Sequence, residues 1–190
     1  MGKKPATYDV VEHVLERADL RHHLTSTNRF PSREDEPKVR ISSSGVVLLP
    51  PAEVFAFLVD VRNHWQLASS EVQVLELAHA PGVPDRGVFV IRGPLGIRRR
   101  VRTTVLESSD ASGLRGIARV GSHTVVDVRW ELYQHEANGT CVVLSADVRS
   151  IGFTDGLLLA LGGRIWMRRL FAATIEHLSL RLSIAANTQV

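Results

Sequence analysis

Cysteine is nearly absent: Cys141 is the only one in 190 residues. A single thiol excludes an intrachain disulfide framework and any cysteine-based zinc site, so Cys141 reads as a small strand residue. An excess of one charge is lacking too, since 23 basic residues stand against 20 acidic ones for a net charge of +3. Arg98-Arg99-Arg100 with Arg102 forms the one basic cluster, and it falls in an apparent strand that alternates faces. Aromatics make up 6% of the chain. Without a concentrated basic face and stacking side chains, no nucleic-acid partner is expected. The longest apolar run, around Leu157–Leu161, is too short to span a bilayer. Met1-Gly2-Lys3-Lys4-Pro5 leads into charged residues rather than an apolar core, so a cytoplasmic protein is expected. Asn138-Gly139-Thr140 has the glycosylation pattern, and in that setting it reads as a hairpin turn.

Catalytic signatures are missing as well. No Gly-Xaa-Ser-Xaa-Gly elbow, phosphate loop, dinucleotide fingerprint or His-Glu-Xaa-Xaa-His helix occurs. His22-His23 has no third ligand at metal-site spacing, so it reads as a solvated helix end and no metal is expected. No cofactor is expected either.

What is present divides the chain in two. Residues 1–38 hold all three lysines, and every later basic residue is arginine. Val11, Val14, Leu15 and Ala18 form one apolar stripe behind Asp9 and Glu12, which predicts a helix over about 10–22 followed by a polar linker. This extension would cap the domain, form a homodimer or stand free. Residues 39–190 read as the ligand-binding domain. Its last stretch, from about Thr154 to Asn187, has apolar residues at helical spacing (Leu158, Leu161, Ile165, Phe171, Ile175, Leu178, Leu182) and no proline. Thr154 and Asp155 offer capping side chains, and Gly162-Gly163 predicts a bend or a close contact.

Nearly everything before that helix alternates with period two. A first strand runs through Val39–Leu49, with a soft Ser42–Gly45 middle that predicts a bulge. Pro51 and Glu53 open a short helix through Val54 and Leu58, and His64-Trp65 follows in a second helix or turn. Five or six strands come next, closed by Pro81–Pro84, Gly93–Gly96, Ser108–Gly113, Gly121-Ser122 and Asn138-Gly139, which is the pattern of an antiparallel meander. In 123–134, Thr124, Val126, Val128, Trp130 and Leu132 share one face, and His123, Asp127, Arg129 and Glu131 share the other. In 140–149, Val142, Leu144, Ala146 and Val148 oppose Ser145, Asp147 and Arg149. One side of the sheet should be wet and the other should face the helix.

The run Val46-Val47-Leu48-Leu49-Pro50-Pro51-Ala52-Glu53-Val54-Phe55-Ala56-Phe57-Leu58-Val59-Asp60 with His64-Trp65 resembles the opening of the START-like (SRPBCC) superfamily. Gly139-Thr140-Cys141-Val142-Val143-Leu144 and the final helix resemble it too, and the branch is similar to the polyketide cyclase/dehydrase and lipid transport group. The resemblance covers roughly four-fifths of the chain. It implies an α+β helix-grip fold, in which a curved antiparallel sheet of six to seven strands wraps a long C-terminal helix around an apolar cavity. It implies no particular chemistry, because the superfamily holds carriers, cyclases and sensors alike.

Candidate ligand-binding residues are Phe57, Trp65, Thr103, Thr124, Val128, Trp130, Leu161, Ile165 and Trp166. Plain core packing is the other reading for each. A base or acid for catalysis would come from His64 or Arg92. The leading expectation is a carrier or sensor of a hydrophobic small molecule such as a lipid, isoprenoid or polyketide. The alternatives are a polyketide cyclase or dehydratase, and an interaction module that touches a membrane or partner transiently through 1–24 or Leu157–Leu161.

Overall fold

A computed structural model describes residues 39–67, 71–80, 83–93, 96–109, 112–136 and 139–188. The expected helix over 10–22 and the linker after it lie outside these residues. Seven strands form one antiparallel sheet: β1 (Val39–Val47), β2 (Val72–Ala80), β3 (Val83–Arg92), β4 (Arg98–Ser109), β5 (Gly113–Val120), β6 (Thr124–Gln134) and β7 (Thr140–Ser150). Their order is β1-β7-β6-β5-β4-β3-β2, so a meander from β2 to β7 is closed by the first strand. Two short helices, α1 (Pro51–Val59) and α2 (Val61–Gln66), lie between β1 and β2. After β7 come α3 (Phe153–Leu158), a kinked turn over Leu159–Gly163 and the long α4 (Arg164–Thr188). This is the helix-grip arrangement.

Local chemistry accounts for each junction. Pro51 begins α1, and Val54 and Leu58, one turn apart, are fully buried. The last carbonyls of α1, left without helical partners, are taken up by α2: Asn63 Nδ2 donates to Phe57 O at 2.8 Å, and His64 Nε2 contacts Leu58 O. Thr140 Oγ1 donates to Leu49 O at 2.6 Å and ties the start of β7 to the β1–α1 corner. β3 begins earlier than the Pro81–Pro84 turn predicts, because Val83 pairs with Ala80 of β2; pairing with β4 starts only at Arg86, so the missing N–H of Pro84 breaks no bond on that side.

The predicted bulge in β1 does not form. Its register with β7 is continuous from Val39↔Val148 to Val47↔Thr140. Gly45 serves the helix instead: a Cβ at that position would stand 2.8 Å from Ile175 Cγ2, so the missing side chain lets α4 settle onto β1. Ile175, Leu178 and Leu182 of α4 join Ile41, Val47, Val142, Leu144 and Ala146 in one buried core. The expected bend is real. Gly162 has φ +100°, which interrupts the helix between α3 and α4. Thr154 and Asp155 do not cap α3, whose N-cap is Gly152. Asp155 is held by Thr124 Oγ1, which donates to Oδ2 at 2.6 Å, and by Arg99 Nε at 2.9 Å from Oδ1.

The outer face is less wet than its alternation implies. Asp127 and Asp147 sit directly opposite each other on β6 and β7, yet they are 2% and 4% exposed. Two facing carboxylates repel. Arginines cover and offset them: Arg40 bonds Asp147 at 2.6 and 2.8 Å, and Arg149 Nε bonds Asp127 at 2.7 Å. Arg129 bridges the two at 3.8 and 4.0 Å. The hydrogen bond from Arg40, more than its charge alone, holds the Asp147 carboxyl below its ordinary value.

A depressed carboxyl means that the unfolded chain binds the proton more readily, so stability rises with pH across that window. The contribution is present above the ordinary aspartate value of 3.8 and is lost as pH falls through the lower folded value. Arg40 is 59% exposed, so solvent screens the pair and its worth is about 1 kcal/mol. Asp147→Asn should lose that amount at neutral pH and show a flatter decline below it in urea titrations at stepped pH. An unchanged acid limb would remove Asp147 from the account.

Candidate functional site

The inner faces of β4, β5 and β6 carry small or slender side chains where they meet α4. Gly116 and Ala118 lie in mid-sheet on β5, flanked by Val105 and Thr103 on β4 and by Val128 and Val126 on β6. A side chain at Gly116 would put its Cβ 2.8 Å from Thr104 O, so close strand approach as well as space demands glycine there. Because α4 seats on β1 through Gly45, the inner face of β3–β5 keeps room beneath the first turns of the helix. The result is a cavity of about 260 Å³ between sheet and helix. Met167, Phe171 and Thr174 of α4 form its roof, and His64 of α2 and Trp130 of β6 meet in its wall.

Its surface is almost wholly hydrocarbon. His64 is tilted against Trp130 with ring centroids 5.8 Å apart. Burial pushes the imidazole pKa below its ordinary value, so the ring is neutral at pH 7. Leu58 O can only accept, so Nε2 carries the proton and Nδ1 keeps its lone pair. Thr174 Oγ1 donates to Leu170 O at 2.8 Å, and Thr103 Oγ1 donates to Gly87 O at 3.4 Å. The Thr174 proton is thereby committed, the longer Thr103 contact leaves its proton only weakly held, and both oxygens retain acceptor lone pairs. Arg115 also borders the cavity, but its guanidinium is turned to Asp127 on the outer face.

The candidate residues fall in different places. Thr103, Val128 and Trp130 line the cavity. Phe57 is packed against the core outside it, and the side chain of Trp65 lies outside the described residues. Thr124 is buried at the β6–α3 junction, where it accepts from Gly152 N at 2.9 Å and donates to Asp155; it is an anchor of α3 and not part of the cavity wall. Leu161 and Ile165 are 64% and 61% exposed: the break at Gly162 separates Leu161 from the stripe of α4, and Ile165 lies out of helical phase with Ile175 and Leu178. Trp166 is half-buried and off the wall. Of the two candidates for catalysis, His64 is in the wall, and Arg92 is exposed at the end of β3, outside it.

Residues that the alternation of β6 and β7 did not reveal complete the site: Phe89 and Ile91 on β3, and Met167, Phe171 and Thr174 on α4. The three helix positions follow one another at four and three residues, so helical spacing counted back from the Ile175–Leu178 stripe would have found them. Among the described residues no group of three or more His, Cys, Asp or Glu side chains could hold a metal ion.

Known proteins bear on this arrangement. The chain superposes on TTHA0849 from Thermus thermophilus with a TM-score of 0.63 and 22% identity, covering 77% of this chain and 99% of that one. Protein Ms6760 from Mycobacterium smegmatis gives a TM-score of 0.57 at 10% identity, over 80% of this chain and 96% of that one. A START superfamily protein from Mycobacterium smegmatis gives 0.50 at 15% identity, over 80% and 99%. No curated protein matches in sequence. A family described as polyketide cyclase / dehydrase and lipid transport matches residues 38–182, which take in every strand, both short helices and α4 as far as Leu182. Sheet order, helix placement and this match agree, and the chain belongs to the polyketide cyclase / dehydrase and lipid transport family.

Proposed function

We propose that this protein binds one small hydrophobic molecule between its sheet and α4, as a carrier or sensor. The observation that carries the reading is the apolar cavity of about 260 Å³ with few polar atoms in its wall. Ligand pockets run from about 300 to 1,000 Å³, so this one suits a compact isoprenoid or a one- to two-ring polyketide better than a two-chain lipid. His64 Nδ1 and Thr174 Oγ1 are acceptors with no proton to give, and Thr103 Oγ1 is a further acceptor. A hydroxyl group both donates and accepts, and so suits this wall better than an ether or a ketone.

Native mass spectrometry with organic extraction, on protein purified from its own host, tests the reading. A co-purifying lipophile with a hydroxyl group is the expected result. An empty protein that also fails to bind a series of one- and two-ring alcohols and phenols would overturn it.

One observation favours a second reading, that of a cyclase or dehydratase. His64 borders the cavity with a neutral ring whose Nδ1 keeps its lone pair, the one side chain of the wall that could take a proton from a bound substrate. On that reading His64→Gln binds ligand and loses turnover, whereas on the carrier reading there is no turnover to lose.

A further inference from the structure

Between Phe153 and Arg169 the surface is apolar and basic. Phe153, Leu157, Leu161 and Ile165 recur at four-residue steps and are 87%, 51%, 64% and 61% exposed. Arg164, Arg168 and Arg169 stand exposed among them. The one acid of this segment, Asp155, is already engaged by Arg99 and Thr124. The next acid along α4 is Glu176. A run of large exposed apolar side chains whose charged neighbours in sequence, apart from the engaged Asp155, are all cations marks an interaction site.

Its chemistry selects the partner. The apolar groups project from α3, the kinked turn and the start of α4, each well exposed, so they suit a yielding apolar layer more than a rigid knob. Only one of the four, Phe153, could stack on a base, which disfavours single-stranded nucleic acid. The arginines match phosphate, which their planar guanidinium binds through two parallel hydrogen bonds. No helix among the described residues is long and apolar enough to cross a membrane, so the segment would lie on a bilayer.

We propose that Phe153, Leu157, Leu161 and Ile165 dock this protein onto the surface of an anionic phospholipid bilayer, with Arg164, Arg168 and Arg169 on the headgroup phosphates. Docking is independent of whether the cavity holds a ligand.

Co-sedimentation of the full chain with vesicles of phosphatidylcholine alone, and of phosphatidylcholine mixed with phosphatidylglycerol, tests it. Three arginines at an anionic surface should favour the mixed vesicles by about 100-fold, and added salt should erase most of that preference. R168Q/R169Q should lose about 20-fold on the mixed vesicles, and F153S/L157S should lose binding to below detection. All four side chains are exposed, and unchanged circular dichroism would show that the fold is intact. Wild-type protein that sediments with neither vesicle, or equally with both, overturns the proposal. So does light scattering that shows a dimer in the wild type and a monomer in F153S/L157S without vesicle binding, which would assign the surface to a second copy of the chain.

Discussion

Leu178→Ala is expected to lower the free energy of unfolding by about 3–4 kcal/mol, the range for a buried leucine whose surroundings cannot collapse into the space left. Leu178 has no exposed surface and belongs to the buried cluster that joins α4 to β1 and β7. The backbone of β1 cannot close the gap, because its ladder with β7 is in unbroken register. Against a total stability of about 5–15 kcal/mol, such a loss takes a large share. Urea unfolding followed by tryptophan fluorescence should show the midpoint falling while the slope stays constant, with Leu178→Met costing less than about 1.5 kcal/mol. A loss under about 1 kcal/mol for the alanine variant would mean that α4 does not depend on this contact.

The second large effect concerns the cavity. Ala118 is 6% exposed and lies on the cavity wall between Thr103 and Val126. A space of about 150 Å³ accommodates benzene. The added ring of Ala118→Phe would therefore take more than half of the 260 Å³ present. Ligand affinity should drop at least about 100-fold, while stability holds or rises slightly because a void is filled rather than made. Isothermal titration with the compound recovered from the wild-type protein measures the first expectation, and urea unfolding measures the second. Full affinity in a well-folded A118F protein would move the ligand site elsewhere. Ala118→Leu, a smaller graft, should give an intermediate loss and guards against a variant that fails to fold.

Much of this architecture is legible residue by residue. Period-two alternation in 124–134 and 140–150 separates Trp130 and Leu144 from Arg129 and Asp147 because a strand offers only two faces, and one of them must meet the helix. Pro51 marks the start of α1, and Gly162-Gly163 marks the break before α4, since each residue has a backbone consequence that does not depend on its neighbours. Candidate ligand residues on strands, such as Thr103, Val128 and Trp130, reach the cavity for the same reason: parity decides their direction.

Positions on helices and at junctions obey a different rule. Leu161 lies before the positive φ at Gly162, and periodicity carries no record of the break that takes it off the buried stripe; Ile165 lies within α4 and is exposed because it is out of helical phase with Ile175 and Leu178. Thr124 has inward parity and still misses the cavity, because Asp155, 31 residues later, claims its hydroxyl. Asp127 and Asp147 read as wet residues, and only cross-strand register puts them face to face under a cover of arginines.

The chain alone therefore specifies strands, their faces, helix ends and the family. Those properties rest on backbone preferences and hydrophobic periods that act over a few residues. Where the cavity lies, and that His64 rather than Arg92 borders it, came from tertiary structure. Both follow from α4 settling on Gly45 of β1 and from α2 capping the carbonyls of α1, contacts between segments far apart in sequence or turned by a single helix end.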